Sequence, residues 1–304
     1  MVNVTTVTNF LLMGFSDIWE LQLIHAALFL LVYLAALTGN LLIVAITTLD
    51  RRFYSPMYFF LKHLSILDLC YISVTVPKSI ANSLTNSCSI YYWGCVAQLF
   101  LTIMLAISEL FVLTVMSYDR YVAICRPLHY EVIMNRGACV QMAAATWFSG
   151  GLLGAMYSAG TFTLSFCRTN MIQQFFCDVP SLLNISCSER HIVVDVSVAI
   201  GMSFGFISFV SIIISYIYIF STVLTFPSTE SRSKAFSTCL PHLAVIMFFL
   251  STGACAYLKP PSDFPSTLDL MVSVFYTVVP PTLNPLIYSL RNRDMKAALW
   301  EVWG

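Results

Sequence analysis

Met116-Ser117-Tyr118-Asp119-Arg120-Tyr121-Val122-Ala123-Ile124-Cys125 sets an acid and a base side by side at the end of a long apolar segment. The run leading into it, Val96 to Met116, carries a single formal charge, Glu109. About 20 apolar residues of helix cross a bilayer core, so Asp119 and Arg120 fall where hydrocarbon gives way to water. A charge pair at that depth has two uses. It can anchor a helix at the interface with the arginine snorkelling, or be held shut by mutual attraction and opened by a partner, as a two-state switch requires.

The rest of the chain agrees with a membrane setting. It is 58% apolar and 10% charged, against roughly a quarter charged in soluble domains. The net charge of zero, with no Lys/Arg-rich run, excludes nucleic acid as a partner. Seven stretches reach spanning length: Ile24 to Thr48, Pro56 to Val76, Tyr92 to Ile124, Ala138 to Phe162, Val193 to Phe226, Phe236 to Leu258 and Leu268 to Leu290. Lipid offers backbone polar groups no partner, so each reads as a helix. The expected fold is all-α, one seven-transmembrane helix bundle over 24–290, with 1–23 outside and a short amphipathic helix in the cytosolic tail, 291–304.

Basic residues orient the bundle. With the amino terminus outside, the cytosol receives Arg51, Arg52, Lys62, Arg120, Arg126, Arg136, Arg232, Lys234, Arg291, Arg293 and Lys296, while Lys78, Arg168, Arg190 and Lys259 face out. That is a positive-inside bias. The sequons at Asn3 (Asn3-Val4-Thr5) and Asn184 (Asn184-Ile185-Ser186) both fall on the outer, glycosylated side. No basic region precedes an early cleavable apolar run, so the first helix is expected to serve as the insertion signal.

Of ten cysteines, Cys88, Cys95, Cys167, Cys177 and Cys187 lie outside by this topology, where disulfides persist. At least one bridge should pin the loop between the fourth and fifth helices, though sequence leaves the pairing open. Cys70, Cys125, Cys139, Cys239 and Cys255 have no metal-ligand spacing and read as packing residues.

Several motifs recur in order at the ends of the right helices: Gly39-Asn40, Pro56-Met57-Tyr58-Phe59-Phe60-Leu61, Leu64-Ser65-Ile66-Leu67-Asp68-Leu69, the opening decapeptide, Ser215-Tyr216, Lys234-Ala235-Phe236-Ser237-Thr238-Cys239, and Pro281-Thr282-Leu283-Asn284-Pro285-Leu286-Ile287-Tyr288-Ser289-Leu290-Arg291-Asn292. On these the chain resembles the rhodopsin-like G-protein-coupled receptors and, within them, the olfactory (odorant) receptors, over essentially its whole length.

The resemblance implies roles residue by residue. Asp68 matches a sodium-binding position, and a glutamate at Glu109 resembles the olfactory branch, so the two imply a hydrated sodium or proton site; no other cofactor is expected. Arg120, paired with Asp119 and followed by Tyr121, is the group released to a heterotrimeric G protein of the olfactory stimulatory type, raising cyclic AMP. Asn284-Pro285 allows a hinge at which Tyr288 swings, Tyr216 is its active-state partner, and Lys234, Lys62 and His242 lie toward the inner mouth, His242 reading equally as a helix-packing histidine. The family bridge joins Cys95 to Cys177, with Cys167 to Cys187 as the second, leaving Cys88 unpaired. The sixth helix departs from the general receptor pattern, with Phe248-Phe249 where a tryptophan and proline are usual and Pro241 lower down.

For a ligand, the outer halves of helices three, five, six and seven offer Thr102, Ile103, Ala106, Ile107, Gly201, Phe204, Phe249, Thr252, Gly253, Tyr257, Ser273 and Thr277. This apolar set with a few hydroxyls suits a small lipophilic odorant held mainly by shape. No acid stands in the outer half of the third helix, which disfavours an amine. A transporter's internal repeat, a channel's polar stripe and an enzyme's nucleophile with base or zinc spacing are absent. The expected setting is the plasma membrane, in cilia of olfactory sensory neurons, with membrane lipid and trafficking chaperones as further partners.

Overall fold

The computed structural model describes residues 8–15, 18–85, 87–166, 169–187, 192–257, 267–291 and 295–298. Among them run seven helices of 25 residues or more: α1 (Trp19–Leu49), α2 (Pro56–Thr85), α3 (Tyr92–Cys125), α4 (Arg136–Phe162), α5 (Ile192–Leu224), α6 (Thr229–Tyr257) and α7 (Thr267–Arg291). Five are long and apolar enough to span a membrane on composition alone. The others, α4 and α7, carry more small, polar and proline residues, consistent with facing neighbours as well as lipid.

Three ends differ most from expectation, the first being that of α1, which begins at Trp19, five residues before Ile24. Helix α2 continues past Val76, through Pro77, to Thr85, because a single missing N–H costs less in lipid than unravelling a turn. Helix α6 starts at Thr229, seven residues before Phe236, in an extension opened by Ser228, whose Oγ accepts a hydrogen bond from Ser231 N–H at 3.1 Å. In the tail, Met295 and Ala298, three residues apart, are buried in the inner core.

Helix α3 is central, packing on α2, α4, α5 and α6, while α7 closes the ring against α1, α2 and α6. Large apolar side chains such as Leu31 and Phe148 point outward, 68% and 73% exposed, as lipid requires. Lipid tails do not drive helices together, so close approach depends on small residues. At Gly150 of α4 an added Cβ would sit 2.6 Å from the Met104 carbonyl of α3 and closer still to Ser108 Oγ; at Gly154 it would meet the Phe100 carbonyl at 3.0 Å. Gly150→Val is therefore expected to separate α3 from α4 and cut mature receptor at the cell surface about tenfold, whereas Gly151→Val, where nothing lies within 4 Å, leaves it unchanged. Surface immunostaining against total protein checks both.

The outer end holds a three-stranded sheet absent from the sequence reading. Its strands are β1 (Asn9–Leu12), β2 (Ser89–Tyr91) and β3 (Met171–Ile172). The amino-terminal strand is central, antiparallel to β2 and parallel to β3.

Candidate functional site

The middle of the bundle is organised by one amide. Asn284 Nδ2 of α7 donates to Asp68 Oδ1 and Oδ2 of α2 at 3.2 and 3.0 Å and to Glu109 Oε1 of α3 at 3.3 Å. Asp68 and Glu109 are 0% and 3% exposed. One amide cannot balance two carboxylates in a dry interior, so the site fits a hard cation with water or shared protons. No cluster of three or more His, Cys, Asp or Glu exists among the described residues, so the site is a two-carboxylate one. The helix breaks beside it are compensated. Pro285 has no N–H for the Pro281 carbonyl, and Asn40 Nδ2 of α1 supplies that hydrogen bond at 2.9 Å. Gly39 makes room, because a Cβ there would lie 3.0 Å from Pro285 Cβ. Asn284→Leu leaves both carboxyls without this donor, a cost of about 1–3 kcal/mol. The thermal midpoint of the purified chain, followed by a thiol-reactive dye, should fall by roughly 5 °C.

The inner end is latched. Arg120 Nε and Nη2 donate to Asp119 Oδ2 at 3.1 and 2.5 Å, and the Tyr130 hydroxyl, in the short helix Tyr130–Ile133, donates to Asp119 Oδ1 at 2.7 Å. Both oxygens of a fully buried carboxylate are thus occupied. Facing them, Tyr216 of α5 does not reach Tyr288; its hydroxyl lies 2.8 Å from His242 Nδ1 of α6. His242 Nε2 lies 3.1 Å from the Leu113 carbonyl of α3. A carbonyl only accepts, so Nε2 carries the proton and Nδ1 accepts from Tyr216. His242 therefore ties α3, α5 and α6 together, a role that the sequence left no stronger than helix packing. Tyr288 of α7 is 7% exposed, its hydroxyl buried with no partner. Tyr121 is half-buried against the inner core, its ring 5.8 Å from Tyr218 and 6.2 Å from Tyr118. The Lys234 side chain lies outside the described residues.

At the outer end Cys95 of α3 is bonded to Cys177. One turn below, Gln98 reinforces that bridge. Its Oε1 accepts from Cys177 N–H at 2.9 Å, and its Nε2 donates to the Val74 carbonyl of α2 at 3.0 Å. Cys187 is also disulfide-bonded, while Cys88 is free. Cys167 lies outside the described residues, although Cys187 N–H reaches the Ser165 carbonyl at 2.9 Å and Phe166 pairs with Ser186. Asn184 is exposed at the end of the short helix Val179–Asn184; Asn3 lies outside the described residues.

Asp178 caps that short helix, accepting from Ser181 N–H at 3.2 Å. Desolvation lifts its carboxyl from 3.8 to about 6, against the hydrogen bonds from Ser181. The folded loop then holds its proton more readily than the unfolded chain. Stability is greatest below pH 4 and is lost as pH rises from about 4 to about 6. The side chain keeps some exposure, so the change is about 1–2 kcal/mol. Hydrogen exchange of the Val179–Asn184 amides, corrected for intrinsic rates, should speed up across that window, and Asp178→Asn should flatten the profile.

The expected ligand residues divide. Thr102, Ile103, Ser273 and Thr277 are buried, and Ala106, Ile107 and Phe249 are half-buried against the core. Thr102 and Thr277 hydroxyls are spent on their own helices, on Gln98 and Ser273 carbonyls at 2.7 Å. Gly201 and Phe204 stand elsewhere. A Cβ on Gly201 would strike the Tyr157 hydroxyl of α4, so this glycine serves packing of α4 on α5. Phe204 is 46% exposed and lies beside Phe111, in an open apolar groove of about 300 Å³ along α5. The side chains of Thr252, Gly253 and Tyr257 lie outside the described residues.

An intramembrane carboxylate pair bridged from α7, a latched acid and base ending α3, and a disulfide from α3 to the outer loop are together a receptor's arrangement. The olfactory receptor family model matches residues 29–303. The chain belongs to the olfactory receptor family. Human olfactory receptor 14A16 is 58% identical over 98% of this chain and 96% of its own length. Human olfactory receptor 14J1 is 58% identical over 98% of this chain and 93% of its own. Squid rhodopsin shares the fold, with a TM-score of 0.73 over 92% of this chain and 84% of its own, at 14% identity. As an olfactory receptor the chain is a multi-pass membrane protein and a signalling receptor, not an enzyme.

Proposed function

We propose that this olfactory receptor binds a small, mainly lipophilic volatile in the outer half of the bundle and activates a stimulatory G protein of the olfactory type, raising cyclic AMP. The observation that supports the reading is that the central and inner clusters both hold α3, at Glu109 and at Leu113. Asn284 holds Asp68 and Glu109 together, and His242 bonds α6 to both α3 and α5 while Arg120 is latched. A ligand wedged between α3, α6 and α7 favours the state in which these contacts are exchanged and the inner ends of α5 and α6 part.

The ligand side chains proposed are Ile103, Ala106, Ile107, Phe249, Ser273 and Thr277, with Thr102 beside them. Asp68 and Glu109 hold sodium or exchange protons as the helices shift. Arg120 meets the G protein once Asp119, itself held by the Tyr130 hydroxyl, releases it, with Tyr216 turning from His242 toward Tyr288. A second bridge from Cys167 to Cys187, glycans on Asn3 and Asn184, a trafficking chaperone and residence in olfactory cilia complete the reading. Cyclic AMP in cells expressing the chain with such a chaperone, screened against a panel of volatile alcohols, aldehydes, ketones and esters, tests it. A rise absent from cells with empty vector is the expected result; silence across the panel with receptor confirmed at the surface overturns it.

A further inference from the structure

Strand β1 packs over the outer loop and the start of α3. Strand β1 lies between β2 and β3 and buries alternate side chains, Phe10 at 0% and Leu12 at 2% exposure. Phe10 stacks on Tyr92 at 6.1 Å and meets Phe166 edge-on at 5.4 Å. Beyond the strand, Phe15 packs on Phe175 of the outer loop and Phe29 of α1 at 5.3 and 5.1 Å. Beneath lies one continuous apolar column, with Phe10 and Leu12 at its top, Ile172, Cys177 and Leu182 in the loop, and Leu99 and Ile103 on α3. Ile103 is among the ligand residues proposed above. A ligand arriving from water along this column meets β1 first.

The attachment is noncovalent. Strand β1 is in register with β2 over three residues, Asn9 with Tyr91, Phe10 with Ile90 and Leu11 with Ser89, and with β3 over two, Leu11 with Met171 and Leu12 with Ile172. Its backbone is held from Leu11 N–H to the Asn170 carbonyl at 2.8 Å and from Leu12 N–H to the Cys88 carbonyl at 2.7 Å, and its flanks by Tyr92 N–H to the Thr8 carbonyl at 3.0 Å and Met13 N–H to the Ile172 and Gln174 carbonyls at 3.0 and 2.9 Å. The loop below is bound differently, by the Cys95–Cys177 disulfide and by Gln98. Lifting the strand breaks no disulfide and separates no two spanning helices. Elements of this kind open locally, well before the fold does.

We propose that β1 is a detachable strap over the outer mouth, and that its release opens the aqueous path to the ligand site. The proposal rests on the ligand site assigned above, so its test does not depend on a response. Ile103→Cys is placed in a Cys88→Ser background, and labelling by a charged, membrane-impermeant methanethiosulfonate reagent is followed on intact cells. Leu12→Asp, which puts a charge into the buried column, should speed labelling at least tenfold. Should that variant be retained inside the cell, Leu11→Pro, which removes the hydrogen bond to Asn170, takes its place. A disulfide lock from Leu11→Cys with Ser89→Cys, directly opposed in the antiparallel pair and so within disulfide reach, should bring labelling below the rate of the unlocked chain. Equal labelling of locked and unlocked chains places the entrance elsewhere and overturns the strap. So does a thiol at 103 that stays unreactive with the strap loosened. Labelling as expected in the Ile103→Cys chains, with no response to any volatile from the native chain, keeps the strap and loses the proposed ligand site.

Discussion

Cys177→Ser is expected to remove the receptor from the cell surface. The bridge to Cys95 closes 82 residues, and a loop of that length contributes about 4 kcal/mol by the chain-entropy estimate. More is lost than the bridge. Cys177 N–H is bonded to Gln98, and the adjoining Phe175 and Phe176 are 2% and 1% exposed against Phe15 and Tyr276. Freed from Cys95, this segment leaves Gln98 Oε1 unpaired and the aromatic cluster open to water. Surface staining should fall to background while the chain is still synthesised. Cys88→Ser, which removes a free thiol, should leave surface level within twofold; normal surface level of Cys177→Ser would refute the structural role of the bridge.

Arg120→Ala is expected to abolish agonist-dependent cyclic AMP while leaving receptor at the surface. Arg120 is tied to Asp119, and its side chain keeps 14% exposure at the cytosolic end of α3. Its loss strips Asp119 of a cation but leaves the Tyr130 hydroxyl at 2.7 Å, so the cost falls on the inner rim of the bundle and not on its spanning core. A small side chain at this position offers a G protein neither charge nor donors. Response at matched surface level should drop at least a hundredfold, to the level of empty vector. Arg120→Lys keeps the charge without the planar fork and should show intermediate coupling. Full output from Arg120→Ala would remove Arg120 from the coupling machinery.

How far the sequence reached depends on the kind of interaction. The seven spans were legible because lipid imposes one demand on every stretch of backbone, and each segment states locally whether it meets it. Asp68, Glu109, Asp119, Arg120 and Asn284 stood out for the same reason, since polar groups at membrane depth are costly wherever they occur. His242 looked like any packing histidine, because its meaning lies in Leu113 and Tyr216, 129 and 26 residues away. Gly201 and Phe204 were placed on the right helix, but the turn of α5 that faces inward is set by its neighbours, among them Tyr157 and Phe111.

By itself the sequence determined seven membrane-spanning helices and the identity of their ionisable interior, since both follow from the cost of placing each residue in hydrocarbon, while its receptor motifs carried only a resemblance. Tertiary structure alone decided that one amide, Asn284, joins Asp68 to Glu109, that Tyr130 completes the Asp119 latch, and that Phe10 and Leu12 are buried against the outer loop and α3. Each of these joins residues far apart in the chain, and a contact of that kind exists only once the intervening helices have packed.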